Sequence, residues 1–261
     1  MPCGANRVRV LVVGGGGGGG SGAAGGGAAG FVCSEVFEVE QLVVVKISVG
    51  KGGKGSTRKD TCRQDSRYGA RSSFGGFLHA DGGGSHNGPC FENWQGASGG
   101  SGGGEGCINS GGYCSSGSGG SGGSNGNYSS RGQAFGIGKG QSSYSAQLKQ
   151  FRMSSITVGA GGKGRLYAAA GGGGGGGVFI DGSGPSAEDG ERPIGEMGGK
   201  GFGAGGGSGF LDSNEMKTSP HIYHRGDVGA DGVVYIEWWW ESKSSKFYKI
   251  RKTNVQYSCM S

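Results

Sequence analysis

The stretch "VRVLVVGGGGGGGSGAAGGGAAGFV", residues 8 to 32, decides the fold, because six mostly apolar residues run directly into seven consecutive glycines. A strand followed by the pattern G-x-G-x-x-G is also how a dinucleotide-binding loop begins. The glycines therefore admit three interpretations: a cofactor loop, a flexible linker, or a structural element in its own right.

The cofactor interpretation fails on the residues that follow the glycines. A dinucleotide-binding fold needs a helix after the loop and an acidic residue about 20 positions further on. Glu35 and Glu38 lie at an acceptable distance. However, residues 18–30, "GGGSGAAGGGAAG", form a poor helix, since each glycine costs about 1 kcal/mol relative to alanine. Residues 50–57, "GKGGKGST", lack the Lys-Ser/Thr pair of a phosphate loop, so we expect no cofactor.

The composition limits what kind of interior the chain can build. Glycine supplies 69 of the 261 residues, far above its usual share of roughly 7%. Only 43 residues are Leu, Ile, Val or Phe, and the net charge of +6 is too small to hold the chain open by repulsion. A folded chain must therefore pack glycine backbone in its interior and hydrogen-bond nearly every buried N–H and C=O group.

Alternating apolar residues predict a few short strands. The predicted strands are 8–13, 41–50 ("QLVVVKISVG") and 232–240 ("GVVYIEWWW"), with 31–40 ("FVCSEVFEVE") as a partner that a short turn joins to 41–50. One helix candidate, 142–153, lacks a clear apolar stripe. The prediction is a mainly β fold of small antiparallel sheets with almost no α-helix.

The glycine-rich units recur next to strands, which argues against a linker. "ISVGKGGKG" at 47–55 returns as "ITVGAGGKG" at 156–164, and a second run of seven glycines leads into "VFI" at 178–180. A third unit, "GGKGFGAGGGSGF", lies at 198–210. Recurring units attached to strands are typical of stacked structural elements, whereas linkers join separate domains.

The interpretation that explains the number, clustering and attachment of the glycines is a bundle of polyglycine II helices. Such a helix has three residues per turn and no internal hydrogen bonds. Its N–H and C=O groups point outward in three directions, so neighbouring helices can bond one another, and only glycine permits the close approach. The structural runs are predicted at Gly14, Gly15, Gly16, Gly17, Gly18, Gly19, Gly20, Gly171, Gly172, Gly173, Gly174, Gly175, Gly176 and Gly177.

The cysteines indicate disulfides and not a metal site. None of the seven stands in a C-x-x-C pair, and no Cys/His spacing fits zinc. Disulfide bonds stabilise a chain most where its loops are least anchored, as in residues 62–114, where strand patterns are poorest and four cysteines lie. The disulfide candidates are Cys33, Cys62, Cys90, Cys107 and Cys114. An odd count leaves at least one thiol free or in an intermolecular bond. The sequence "NYS" adds a glycosylation acceptor at Asn127, compatible with secretion into an oxidising compartment.

The order of these units resembles the glycine-rich domain of secreted and cell-surface proteins abundant in marine invertebrates. The resemblance is carried by "VRVLVVGGGGGGGSGAAGGG", "VGKGGKG", "DGGGS", "AAAGGGGGGGVFIDGSGP", "GGKGFGAGGGSG" and "GADGVVYIEW". Related domains occur in phage adhesins with polyglycine helices. The chain is more distantly similar to the glycine-rich region in the ectodomains of anaplastic lymphoma kinase and leukocyte tyrosine kinase receptors. The resemblance implies an extracellular, non-enzymatic, β-rich domain with bundled polyglycine II helices.

We therefore expect a single glycine-rich domain over 1–240, with a Gly/Ser-rich loop region at 96–143. A basic tail over 241–261 is expected to be poorly ordered. No leader peptide is visible, and residue 8 already has the pattern of a strand interior, so we expect the chain to begin inside a longer precursor. No stretch approaches the length of a membrane span.

Two function hypotheses follow, and neither is catalytic, because no G-x-S-x-G or H-E-x-x-H set occurs. The first is a secreted structural protein of the extracellular matrix, which associates with itself, with matrix components, or with mineral, mucus or glycan. The second is an extracellular recognition module that binds a protein or a glycan through loops and aromatic residues, with Trp238, Trp239 and Trp240 as the candidate face for stacking on sugars; packing of these rings on a small core is the competing explanation. Nucleic acid is not an expected partner.

Overall fold

The computed structural model describes residues 5–20, 30, 32–38, 44–56, 68–85, 99, 107–108, 156–158, 169–170, 174, 176–180, 183–185, 198–207 and 225–240. Within those residues the chain forms short strands and no α-helix. The prediction of a mainly β fold with small antiparallel sheets is confirmed. The helix candidate at 142–153 lies outside the described residues.

The strands, numbered in chain order, are β1 (Arg7–Val13), β2 (Val32–Glu38), β3 (Ile47–Ser48), β4 (Ser72–Phe74), β5 (Leu78–Ala80), β6 (Cys107–Ile108), β7 (Ile156–Val158), β8 (Ala169–Ala170), β9 (Val178–Ile180) and β10 (Val233–Trp239). The described part contains two three-stranded sheets, β10-β1-β2 and β3-β4-β5, and two strand pairs, β6-β8 and β7-β9. All of these pairings are antiparallel.

The predicted strands at 8–13 and 232–240 are confirmed, and they lie side by side. Val10 of β1 is opposite Ile236 of β10 on one side and opposite Glu35 of β2 on the other. β1 takes the middle position because five of its seven residues are apolar, so both of its faces can be buried. The first and last strands of the described residues thereby lie in one sheet.

The hydrophobic core lies on both faces of β1. Full burial of each Val, Leu or Phe side chain contributes about 1.5–3 kcal/mol, so two small clusters carry much of the side-chain stabilisation. One cluster contains Val8, Val10, Val12, Phe37, Phe74 and Ala80, and the other contains Leu11, Val13, Val178 and Ile180. The sheet β10-β1-β2 therefore lies between the β4-β5 hairpin on one face and β9 on the other.

The hairpin of β4 and β5 turns through Gly75 and Gly76 and supplies aromatic rings to the core. Gly75 has a φ of 57°, in the left-handed region that side chains other than glycine rarely adopt. The rings of Phe37 and Phe74 lie 5.9 Å apart between centroids, and that of Phe77 lies 6.0 Å from Phe37. Sequence analysis did not predict this hairpin.

The predicted pairing of 31–40 with 41–50 is wrong. β2 pairs with β1, and the second segment contributes only Ile47–Ser48, which pairs with β4. The reason is burial: the Phe37 side chain is buried in the cluster beside β1, whereas Val44, Ile47 and Val49 are exposed. The repeated units at 47–55 and 156–164 do both begin with a strand, β3 and β7.

Charged side chains form ion pairs between neighbouring strands of the sheet β10-β1-β2, called here the central sheet. Arg9 Nη1 lies 3.3 Å from Glu237 Oε2 across the β1–β10 pair, and the Arg9 guanidinium lies 5.3 Å from the centroid of the Trp239 ring. Arg7 Nη1 lies 3.6 Å from Glu38 Oε2 on the β2 side. These arginines are compensated by glutamates on both neighbouring strands, which makes their burial acceptable.

Candidate functional site

The segment Gly14–Gly20, called here the central segment, leaves the end of β1 and is buried along its whole length. It has no side chains, so its surroundings are set by backbone contacts. Among the described residues, five other stretches of chain pack around it and are called here the outer segments: 50–56, 68–70, 81–85, 203–207 and 226–232. Gly30 also packs against its first residue, since a Cβ added at Gly30 would collide with Gly14 O. This bundle of six segments is the candidate functional site.

The contacts of the central segment repeat every third residue. A Cβ atom added at each of five successive glycines would come closer than 3.0 Å to a backbone oxygen of an outer segment, a separation that real Cβ atoms essentially never show. The pairs are Gly14 with Asp81, Gly15 with Lys51, Gly16 with Ala204, Gly17 with Gly84, and Gly18 with Lys54. A period of three differs from the period of two of a β-strand and equals the repeat of a polyproline II-type helix.

Hydrogen bonds join the central segment to every outer segment. Its N–H groups donate outward and its carbonyl groups accept from outside, so the buried backbone is satisfied between segments. The bonds are Gly15 N to Ala70 O (3.0 Å), Gly16 N to Ala230 O (2.9 Å), Gly19 N to Asp227 O (3.0 Å), Gly53 N to Gly16 O (2.7 Å), Ser56 N to Gly19 O (3.0 Å), Gly83 N to Gly15 O (2.8 Å) and Gly206 N to Gly17 O (2.9 Å).

The outer segments also bond one another around the central one. In order, they run from 81–85 through 68–70, 50–56 and 226–232 to 203–207. The bonds are Gly69 N to Gly83 O (2.9 Å), Ala70 N to Lys51 O (2.8 Å), Gly229 N to Gly53 O (2.9 Å) and Ala230 N to Ala204 O (2.7 Å). The hydrogen bonds therefore run in several directions across the bundle, whereas those of a β-sheet lie in one plane.

In two outer segments, exposed or half-buried side chains recur at every third position. Within 50–56, Lys51 and Lys54 are exposed while Gly50, Gly53 and Ser56 are buried. Within 225–232, Arg225 is exposed and Val228 and Asp231 are half-buried, while the positions between them are buried. Asp227, the last residue of an Arg-Gly-Asp tripeptide, is 4% exposed, so that tripeptide does not present both charges to solvent.

One ion pair crosses between two outer segments. Lys51 Nζ lies 2.5 Å from Asp231 Oδ2, and Gly52 N donates to Asp231 Oδ1 at 2.8 Å. The hydrogen bond to Asp231 and the charge of its carboxylate raise the pKa of Lys51 above 10.5. Because Lys51 is largely exposed and Asp231 is only half-buried, this pair fixes the register of 50–56 against 226–232 more than it adds stability.

The second glycine run is described only in part and reaches a different set of neighbours. A Cβ added at Gly174 would collide with Gly205 O, and Gly177 N donates to Lys200 O at 2.9 Å. The unit 198–207 therefore touches both glycine runs, since Gly206 also donates to the central segment. Gly171, Gly172, Gly173 and Gly175 lie outside the described residues.

The three predicted aromatic residues do not lie on one surface. Successive strand residues point to opposite faces, so Trp239 lies on the face of Arg9, and Trp238 and Trp240 lie on the other. Trp238 is 47% exposed and Trp240 is 69% exposed, so packing accounts for only part of their surface. Stacking on sugar remains a prediction for these two rings.

The predicted disulfide and glycosylation sites also remain predictions. Cys33 lies in β2 and Cys107 in β6. Cys62, Cys90, Cys114 and Asn127 lie outside the described residues. Among the residues that the structure describes, no three His, Cys, Asp or Glu side chains converge on a metal position. The same residues include no helix with the length and hydrophobicity to cross a membrane.

Two outer segments were not recognised in the sequence as parts of a bundle. Segment 68–70 contains a single glycine, Gly69, and segment 226–232 has isolated ones, Gly226, Gly229 and Gly232. The available clue was the spacing in "RGDVGADG", where glycine recurs at every third residue. That spacing keeps one side of the segment free of side chains when the backbone repeats every three residues.

Comparison with known proteins assigns the chain to a family. A family model described as a glycine-rich domain matches residues 1–239. Neither the curated proteins nor the solved structures gave a match to the chain.

Proposed function

Because the chain belongs to the glycine-rich domain family, we propose that it is a non-enzymatic structural protein of the extracellular matrix, built on a bundle of polyglycine II helices. The observation that carries the proposal is the period of three in the contacts of the central segment. A backbone that bonds its neighbours in several directions forms a stiff element without needing a large side-chain core.

The helix type has a direct test in solution. Polyglycine II combines a φ angle of about −75° with a ψ angle of about +145°, whereas a β-strand has a φ angle of about −140° and an α-helix has a negative ψ angle. Backbone chemical shifts and scalar couplings of residues 14–20 measure both angles in the full chain. Polyglycine II angles along the whole segment support the proposal, and strand-like φ angles or an α-helical turn within it would refute the proposed scaffold.

The structural role follows from how the bundle uses its chemistry. Many of its backbone donors and acceptors bond groups of neighbouring segments, and these bonds hold the segments together. The side chains that leave the bundle, Lys51, Lys54, Arg225, Val228 and Asp231, lie at regular intervals along its outer surface. Such a surface suits repeated weak contacts with a matrix component, a mineral, or another copy of the chain.

Localisation and extraction test the extracellular role. We expect antibodies to label the protein on intact, unpermeabilised tissue, and we expect denaturant, but not salt alone, to extract it. We also expect mass spectrometry after alkylation without reduction to find most of Cys33, Cys62, Cys90, Cys107 and Cys114 protected. A freely soluble intracellular protein with reduced cysteines would rule the role out.

A second candidate function is recognition of a glycan, which the exposure of Trp238 and Trp240 favours. The two rings lie on one side of the chain, two residues apart, and exposed aromatic rings can stack on the apolar faces of sugars. A glycan array probed with the wild-type chain and with Trp240→Ala tests this. Tyr68→Ala, at another exposed aromatic residue, is the matched control. Absence of glycan signal from the wild type, or equal signal from all three proteins, would dismiss the recognition role.

A further inference from the structure

The outer segments 50–56 and 226–232 lie side by side in a register that repeats every three residues. The bonds that fix it are Gly232 N to Gly50 O (2.8 Å), Gly229 N to Gly53 O (2.9 Å) and Gly226 N to Ser56 Oγ (3.2 Å). The two segments therefore run antiparallel, and each step of three residues along one matches a step of three back along the other. This register places Lys51 opposite Asp231, in agreement with their ion pair.

Exposed cations recur at the same step along this pair of segments. Lys51 and Lys54 are exposed three residues apart, and the register places Arg225, which is also exposed, one further step beyond Lys54. A polyproline II-type backbone rises about 3.1 Å per residue, so three residues advance by about 9 Å. Lys51, Lys54 and Arg225, called here the cationic row, therefore follow the axis of the bundle.

Little negative charge opposes the cationic row within its own two segments. Residues 50–56 and 225–232 contain two carboxylates, those of Asp227 and Asp231. Asp227 is only 4% exposed, and Asp231 binds Lys51 at one end of the row. The residue opposite Lys54 in the register is half-buried Val228, which offers no charge. The surface around Lys54 is therefore positive.

The spacing of the cationic row favours a long anion over a compact one. A charged hydrogen bond needs an N···O distance of about 2.7–2.9 Å, whereas the backbone positions of successive cations lie about 9 Å apart. Duplex DNA carries one charge about every 1.7 Å, so most of its phosphates would meet no cation of the row. Two sugars of an extended chain span about one step, so anionic groups on alternate sugars can meet successive cations.

We propose that the cationic row binds a linear anionic polysaccharide that lies along the axis of the bundle. Gly52 and Gly53, the positions between Lys51 and Lys54, have no side chains, so the polymer can lie close to the backbone there. This inference rests on the proposed role in the extracellular matrix, for which it names the class of matrix component. Charge complementarity supplies the attraction, and the regular step supplies the match in length.

Binding of the full chain to dextran sulfate, with neutral dextran as the matched ligand, tests the proposal at about 0.15 M salt, where charges more than about 8 Å away are largely screened. We expect the wild type to bind dextran sulfate and not dextran. Lys54→Glu should weaken binding about threefold or more, because like-charge repulsion replaces an ion pair. Urea unfolding checks that the variant is folded. If it is not, Lys54→Gln replaces it with the same expected direction.

Lys46→Glu is the control, because it changes the net charge equally at an exposed lysine beside the β4-β5 hairpin, where Gly75 N donates to Lys46 O. Basic residues elsewhere in the chain contribute equally to both variants. We expect the control to bind nearly as well as the wild type. Equal affinity of the Lys54→Glu and Lys46→Glu variants, or equal binding of dextran and dextran sulfate, would overturn the proposal. Tighter binding of single-stranded DNA than of dextran sulfate would also overturn it, in favour of a nucleic acid.

The salt dependence gives a second measurement of the same contact. Binding to a polyanion releases counterions, so the logarithm of the affinity falls linearly with the logarithm of salt concentration. Removal of one contacting cation in Lys54→Gln should reduce that slope by about 1, and an unchanged slope would refute the contact. Loss of all binding with polyglycine II angles kept along residues 14–20 would refute the cationic row and leave the scaffold intact. Lys54-dependent binding by an intracellular protein would refute the matrix role alone.

Discussion

Replacing Gly16 by alanine should destabilise the chain strongly, although no side-chain interaction is removed. The added Cβ would approach Ala204 O closer than any real Cβ does, so one of the two backbones must move. Gly16 N to Ala230 O is 2.9 Å and Gly53 N to Gly16 O is 2.7 Å, and such movement takes both bonds outside the usual range of about 2.7–3.2 Å.

The magnitude follows from the backbone groups left without partners. Each broken buried hydrogen bond costs about 1–3 kcal/mol, so two cost about 2–6 kcal/mol. Alanine returns about 0.4–1 kcal/mol by restricting the unfolded chain. The expected net loss is centred near 3 kcal/mol, a large part of the roughly 5–15 kcal/mol of a typical domain.

The assay is urea unfolding followed by tryptophan fluorescence, which reports mainly on β10 because three of the four tryptophans lie at 238–240. Gly76→Ala is the matched control, since nothing lies within 4 Å of a Cβ added there. Gly17→Ala should resemble Gly16→Ala, because its Cβ meets Gly84 O. In a β-strand, successive side chains point to opposite faces, so alanine would be tolerated at one of two successive positions. Stability of Gly16→Ala or Gly17→Ala within about 0.5 kcal/mol of the control, the range of neutral surface changes, would refute the bundle.

Three further predictions concern other parts of the fold. Gly203→Ala should cost at least about 2 kcal/mol in urea unfolding, because its φ is 72° and a side chain there is strained; a neutral result would contradict that geometry. Leu11→Ala should cost about 2–5 kcal/mol, whereas Val44→Ala, at a side chain that is 59% exposed, should cost about 0.5 kcal/mol or less; equal losses would place the core elsewhere. The folded-state pKa of Lys51 is raised by Asp231, so the stabilisation from this pair is complete below pH 10.5 and declines as pH rises past the folded-state pKa. Thermal unfolding across alkaline pH should show that decline in the wild type. In Lys51→Met, the part of the decline that comes from the Lys51–Asp231 pair should be missing. If the wild type and the variant lose stability identically with pH, the pair has no such effect.

The sequence predicted those elements whose evidence is local. β1 and β10 follow from apolar residues at a strand period, and the structural character of Gly14–Gly20 follows from a strand before it and poor helix formers after it. The pairing of the strands could not be predicted from such local evidence. β2 and the 41–50 segment both alternate, and only the burial of Phe37 against β1 assigns β2 to the central sheet.

The candidate site was harder to predict because its partners are backbone atoms. Every glycine has the same N–H and C=O groups, so composition cannot tell which segments will bond Gly16 or Gly19. Segment 68–70, which has a single glycine, becomes recognisable only when the bonds of Ala70 are known. The position of non-glycine residues in an outer segment is the remaining local evidence, and it fixes which side of that segment faces out.

The positions of the non-glycine residues distinguish the backbone that holds the bundle together from the side chains on its outer surface. In 50–56, Gly52 and Gly55 face 226–232 so closely that a Cβ would collide with the oxygens of Gly229 and Gly226, whereas the side chain of Lys54 points into solvent. Substitution at Lys54 should therefore change charge or binding without disturbing the bundle, while substitution at Gly55 should disturb it whatever side chain is introduced. One backbone arrangement can thus carry different outer side chains at every third position, which is the property that a structural protein with a variable contact surface requires.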